Sequence, residues 1–276
     1  MATPIKVQAS PAPAPSIAMA QPNRPSGTRQ RRGAGLGLGL ALSASLGTVL
    51  AGPVLAGGGG GGGGVTITSY GHSALLIQGG GSTVLLNPFK AVGCAAGLAE
   101  PRVSATVILA SSRLLDEGAP VASGRLLSSP GSYRIGGLSL EGIAAPHDRF
   151  GGRRFGQATL WRWKQGGLEI AHLGGTAANL SPEDRVLLGK PDVLIIGVGG
   201  GAKVYDGPEA AAVVRALAPR RVIPVQYVSG KAPADCDQGS VEPFLQAMAG
   251  TPVQRTGRTV SLPANLGDTT QITVLR

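Results

Sequence analysis

From Val65 onward, apolar and polar positions fall into short runs of the kind that strands produce. Val65–Tyr70, Ala74–Gln78 and Thr83–Leu86 come first, with Gly79-Gly80-Gly81 as a hairpin signal between the last two. Val107–Ala110 is a continuous apolar run. A second block follows at Arg125–Leu127, Ser132–Ile135, Leu138–Ile143, Ala158–Lys164 and Leu168–His172, where Gly166-Gly167 marks another turn. Val193–Ile196 and Val222–Val225 are uninterrupted apolar segments, as expected of strands covered on both faces. Helices separate some of these. Ser181-Pro182-Glu183-Asp184 combines a cap, a first-turn proline and first-turn acids. Pro208–Leu217 starts the same way after Asp206-Gly207, with Ala210, Val213, Val214 and Leu217 at helical spacing, and Val241–Met248 is a third helix. Strands in two blocks, each followed by helices, predict an α/β (α+β) domain: two packed sheets with helices outside, an αββα sandwich over residues 65–276.

Composition changes the picture mainly at the amino terminus. Glycine supplies 45 of 276 residues, eight of them consecutive from Gly57 to Gly64, but no Gly-X-Y period exists and collagen is excluded. Lys6, Arg24, Arg29, Arg31 and Arg32 give the first 64 residues five positive charges and no acid, so half of the net charge of +10 belongs to a leader. The body has neither a clustered basic stripe nor interleaved aromatics, which argues against nucleic acid as a partner. Thr28–Arg32 is followed by the uncharged run Gly33–Ala51 and then Val54-Leu55-Ala56, the order of an export signal cut near Ala56. The alternatives are an uncleaved anchor over residues 33–56, so that membrane contact is made only through the N-terminal segment, or a start assigned too far upstream. Gly57–Gly64 then reads as a tether. Cys94 and Cys236 could form a disulfide in an exported protein or remain separate thiols.

The motifs Gly71-His72-Ser73 and Leu85-Leu86-Asn87-Pro88-Phe89 resemble the opening of the metallo-β-lactamase fold, in the branch of metal-dependent hydrolases related to ascorbate-6-phosphate lactonase. The later order agrees: His147 after a strand, Leu168–Gly174, Asp192–Gly197, a helix, then Val222–Tyr227. The resemblance implies the four-layer αββα architecture and a hydrolytic dinuclear zinc centre. Its ligand positions, however, are filled by Ser112, Leu114, Asp116, Glu117, His147, Gly175 and Gln226, and only Asp116 and His147 keep the family's residue types. Asn87 also replaces the family's aspartate. Leucine and glycine offer a metal nothing, and serine and glutamine bind zinc poorly.

Two functional readings follow. In the first, the protein has lost the dinuclear centre and has a binding or structural role toward an unknown small molecule, with no cofactor. In the second, it is a hydrolase of small esters, lactones or phosphoesters that uses a mononuclear or metal-free site. Asp116 and His147 are the surviving metal candidates, with Glu117 as a weaker third and a single zinc or other divalent ion as the residual cofactor. His72, Asn87, Ser112 and Gln226 are expected to line the cleft. Asp116 has the structural alternative of capping its turn or pairing with Arg113, and His172 that of a core residue. Gly197–Ala202 fits a G-x-G-x-x-A dinucleotide pattern, but Pro208 delays the helix that this pattern needs and no acid stands at the required distance.

Overall fold

The chain forms two mixed β-sheets packed face to face, with three helices against the outside of one of them. The computed structural model describes residues 63–276, within a compact unit that spans Gly58–Arg276. The export signal or anchor over residues 33–56 lies outside the described residues, and no described helix is long and apolar enough to cross a membrane.

In chain order the strands are β1 (Gly64–Gly71), β2 (Ala74–Gly79), β3 (Ser82–Leu86), β4 (Ser104–Leu109), β5 (Ser123–Leu127), β6 (Gly131–Ile135), β7 (Leu138–Pro146), β8 (Gln157–Gln165), β9 (Leu168–His172), β10 (Val193–Gly197), β11 (Arg221–Val225), β12 (Val253–Arg255), β13 (Thr259–Pro263) and β14 (Gln271–Val274). The helices are α1 (Pro182–Leu188), α2 (Gly207–Leu217) and α3 (Glu242–Ala247). One sheet runs β13-β1-β2-β3-β4-β5 and the other β12-β14-β11-β10-β9-β8-β7-β6. Every strand expected from the apolar pattern is present.

Alternation in β1 turns Val65 and Ile67 inward, where they meet Leu75, Ile77, Trp161, Trp163 and Ile195 in the core between the sheets. Hairpins β2–β3, β6–β7 and β8–β9 each turn on two glycines, Gly80-Gly81, Gly136-Gly137 and Gly166-Gly167, all at positive φ. That is the type I′ geometry, which matches strand twist and admits few side chains. It accounts for part of the glycine excess.

The helices start where the capping residues predicted. Ser181 and Asp206 each form a reciprocal capping box, with Asp184 and Glu209 respectively. Their apolar faces, including Leu188, Ala210, Val214, Leu217 and Phe244, cover the outside of the eight-stranded sheet.

Three features depart from the sequence expectation. First, no helix follows the first strand block. A single 3₁₀ turn, Gly93–Ala95, and the loops around it cover that side, where Leu76, Leu85 and Ile108 meet Val103 and Ala122. Second, β12, β13 and β14 were not anticipated. They are three to five residues long, mostly exposed in the first two, and β13 pairs with β1 while β14 pairs with β11, partners remote in sequence. Third, the end of the glycine run belongs to the sheet: Gly64 opposes Pro263, and an added Cβ there would collide with the Leu262 carbonyl.

Cys94 and Cys236 form a disulfide across a sequence separation of 142, joining the 3₁₀ turn to the loop after β11. Closing so long a loop restricts the unfolded chain strongly. The Cys94→Ser/Cys236→Ser variant is therefore expected to lose about 2–4 kcal/mol in urea denaturation. An unchanged midpoint would mean that the bridge adds no stability.

Candidate functional site

The parallel strands bring their carboxyl ends to one edge of the sandwich. β3 and β4 are parallel neighbours, as are β9, β10 and β11. The residues just beyond these ends, together with those beyond β7, are Asn87, Ser111 and Ser112, His147, Gly174 and Gly175, and Gln226. Clefts of open α/β sheets form at such ends. The two sheets are tied together there: Trp161 Nε1 donates to the Ala110 carbonyl at 3.0 Å, and the Thr159 N–H donates to the Ser111 carbonyl at 2.7 Å.

Glu117 lies at the centre of this edge, fully buried. His147 Nε2 is 2.6 Å from its Oε1, and both side chains are inaccessible to solvent. Ser112 Oγ donates to the same oxygen at 2.8 Å, and Gln226 Nε2 donates to Oε2 at 3.3 Å. Burial by itself pushes the Glu117 carboxyl up. The His147 hydrogen bond, the Lys203 ammonium, the His147 charge and the Ser112 hydroxyl outweigh it and bring the group down to about 2. Glu117, the weaker of the two carboxylate candidates in the sequence, is the one in contact with His147. Asp116 points to Lys203 Nζ at 2.6 Å and does not pair with Arg113 as anticipated. Lys203 also faces the Phe155 ring, 5.8 Å from its centroid.

Asn87 makes a compact network with Ser111: its Oδ1 accepts from the Ser111 N–H at 2.8 Å, and its Nδ2 donates to Ser111 Oγ at 3.0 Å. His72, Asn87 and Gln226, three of the four expected cleft residues, are three of the four non-glycine residues at positive φ among the described residues. The fourth, Ala218, ends α2. Backbone strain of this kind clusters where a site has shaped the chain. Burial depresses the His72 imidazole, partly opposed by Asp116 and Glu117 and reinforced by Lys203. His172 is a core residue, fully buried, with neither ring nitrogen hydrogen-bonded among the described residues. Burial brings it down to about 4 although Glu117 pulls the other way.

Asp148, adjacent to His147, was not singled out from sequence. Its carboxylate accepts four backbone N–H bonds, from Phe150 and Gly152 on Oδ1 and from Arg154 and Phe155 on Oδ2. It thereby folds the 147–156 loop so that the Phe155 carbonyl lies 3.3 Å from His147 Nδ1. An Asx turn signal at Asp148 was the available clue. Lys203 had none, because its partner lies 87 positions earlier in the sequence. The loop after β10 is no dinucleotide site: α2 opens only at Gly207, capped by Asp206.

These residues do not fit a dinuclear metal centre. The Glu117 carboxylate has no solvent exposure, accepts from the Ser112 hydroxyl and the Gln226 amide and has His147 Nε2 2.6 Å away, whereas zinc needs about four donors of histidine, cysteine or carboxylate type. No group of three such residues converges among the described residues. At Gly175 an added Cβ would collide with Glu117 Oε2 and approach His147 Nε2 to 2.8 Å. Glu117 thus occupies the space that an aspartate at 175 would need.

Residues 66–226 match the family described as the β-lactamase superfamily domain. No curated protein matches the chain in sequence. Among solved structures, a metallo-β-lactamase-superfamily protein from Thermotoga maritima is 22% identical with a TM-score of 0.62, over 76% of this chain and 98% of that one. Igni18, a metallo hydrolase from Ignicoccus hospitalis, is 17% identical with a TM-score of 0.50, over 72% of this chain and 98% of that one. An isothiocyanate hydrolase from Delia radicum gut bacteria is 12% identical with a TM-score of 0.51, over 66% of this chain and 91% of that one. At such identities the likeness concerns the fold.

Proposed function

Because this chain belongs to the β-lactamase superfamily, a family of metal-dependent hydrolases, we propose that it is a member in which a buried Glu117–His147 ion pair has replaced the metal centre and whose role is binding or structural. One observation carries this reading: the carboxylate that could best hold a cation is wholly enclosed, in contact with His147 and hydrogen-bonded by Ser112 and Gln226. Filling the centre with a carboxylate and an imidazole in contact leaves no open position for a Lewis acid and its activated water. The basic-apolar-small order of residues 28–56 and the Cys94–Cys236 bridge support an exported or membrane-anchored location, since disulfides persist in oxidising compartments.

The second reading, a hydrolase that uses Glu117 and His147 as base and acid, has the 2.6 Å contact in its favour. Both groups have zero side-chain exposure, however, so a substrate would reach neither without the loops moving.

Elemental analysis of protein purified without a histidine tag separates the readings. Well under one zinc per chain is expected, and melting should be unchanged by chelator. Stoichiometric zinc removable by chelator, together with hydrolysis of lactones or phosphoesters, would overturn the proposal.

A further inference from the structure

A cavity whose lining includes His72 but neither Glu117 nor His147 depends on neither member of that pair. It has a volume of about 190 Å³ and opens between the β1–β2 turn and the segment that follows β11. That exceeds the ~150 Å³ of an apolar cavity known to admit benzene. Tyr227, Val228 and Pro233 supply half-buried apolar surface in front of the buried Leu75, Ile223, Val225 and Leu275, Leu98 stands at the mouth, and the exposed Lys231 and Arg276 bring cationic side chains to it. Leu98 is 38% exposed, and Lys231 pairs with no carboxylate among the described residues. His72 forms part of the wall, and its buried Nε2 has no hydrogen-bond partner among the described residues.

The walls are fixed in advance of any ligand. The Tyr227 hydroxyl donates to the Leu275 carbonyl at 2.8 Å, and Arg258 Nε donates to the Ser69 carbonyl at 3.1 Å. The Cys94–Cys236 disulfide holds the two loops that border the cavity, which also presents Cys94 and Pro233 to it. A preformed concavity that combines apolar surface with a few polar groups is the general form of a small-molecule site.

We propose that this cavity binds a small amphipathic anion, a compound of about one ring in size whose apolar body lies against Leu98, Tyr227 and Val228 and whose anionic head meets Lys231. The apolar walls select the body. The unpaired ammonium selects the head.

The test is calorimetric titration of the full oxidised chain with benzoate, phenyl phosphate and benzyl alcohol. The anions are expected to bind with one-to-one stoichiometry and the alcohol at least threefold more weakly. Binding of benzoate but not phenyl phosphate assigns the head as carboxylate, and the reverse assigns it as phosphate. Lys231→Ala should weaken the anions about threefold to fivefold, as for a partly solvated ion pair, and leave the alcohol unchanged. Leu98→Trp, placed at the exposed mouth where folding is little affected, should weaken all three at least tenfold. Failure of both anions to bind, or binding indifferent to Lys231→Ala and Leu98→Trp, overturns the proposal. Neither outcome alters the zinc content that tests the reading of the Glu117–His147 pair.

Discussion

Glu117→Ala is expected to lower the unfolding free energy by about 3–5 kcal/mol, the usual cost of removing one partner from a buried ion pair. His147 has no solvent exposure, so its imidazole would lose its carboxylate partner without gaining water, keeping the Phe155 carbonyl at 3.3 Å from Nδ1. For a domain of this size the melting temperature should fall by roughly 10 °C. A compensating substitution makes the test specific. Gly175→Asp alone should destabilise strongly, because its side chain would enter the space held by the Glu117 carboxylate. Combined with Glu117→Ala, it returns a carboxylate to His147 from the neighbouring strand end and should recover a substantial part of the loss. The double-variant cycle would then show strong coupling of opposite sign to the single effects. Additive losses would mean that the two side chains do not compete for one space.

Acidification is expected to weaken the fold in two stages. His172 has its imidazole brought from 6.5 to about 4 by burial, so the unfolded chain binds more protons than the folded one between those values. Its neutral burial is therefore tolerated without penalty above pH 6.5, and stability falls as pH drops toward 4, by roughly 3 kcal/mol in all. His72, depressed by burial, acts in the same direction. Glu117, brought from 4.5 to about 2, contributes stability above pH 4.5 that is lost as pH falls toward 2, again roughly 3 kcal/mol. Urea midpoints measured from pH 8 to pH 2 should decline first through the histidine window and then through the carboxylate window. His172→Leu removes an imidazole without hydrogen bonds and should flatten the upper stage while raising stability at pH 5. A midpoint constant between pH 6.5 and 4 in the wild-type chain would contradict this account of the buried imidazoles.

The elements that were legible in the amino-acid order are those specified by near neighbours. Period-two alternation announces β1, paired glycines announce the β2–β3 and β8–β9 turns, and Ser181 and Asp206 announce their helices through contacts three residues away. The short strands β12 and β13 were not legible, because their pairing partners and not their own side chains make them strands. The first block lacks its expected helix for a related reason: loops can cover an apolar sheet face as well as a helix can, and Leu76, Leu85 and Ile108 do not encode which.

The site divides in the same way. That these ligand positions lack zinc donors could be read from the chain alone, since serine, leucine, glycine and glutamine stand there and donor chemistry does not depend on where they are placed. What the residues at those positions do instead could not. Glu117 and His147 are 30 residues apart in sequence, Asp116 chose Lys203 rather than nearby Arg113, and the Cys94–Cys236 bridge needed two loops from different sheets to meet. Identity sets what a side chain can donate, accept or ligate. Which groups come within 3 Å of one another, and whether water can reach them, is set by strand ends that only the folded sandwich brings to a common edge.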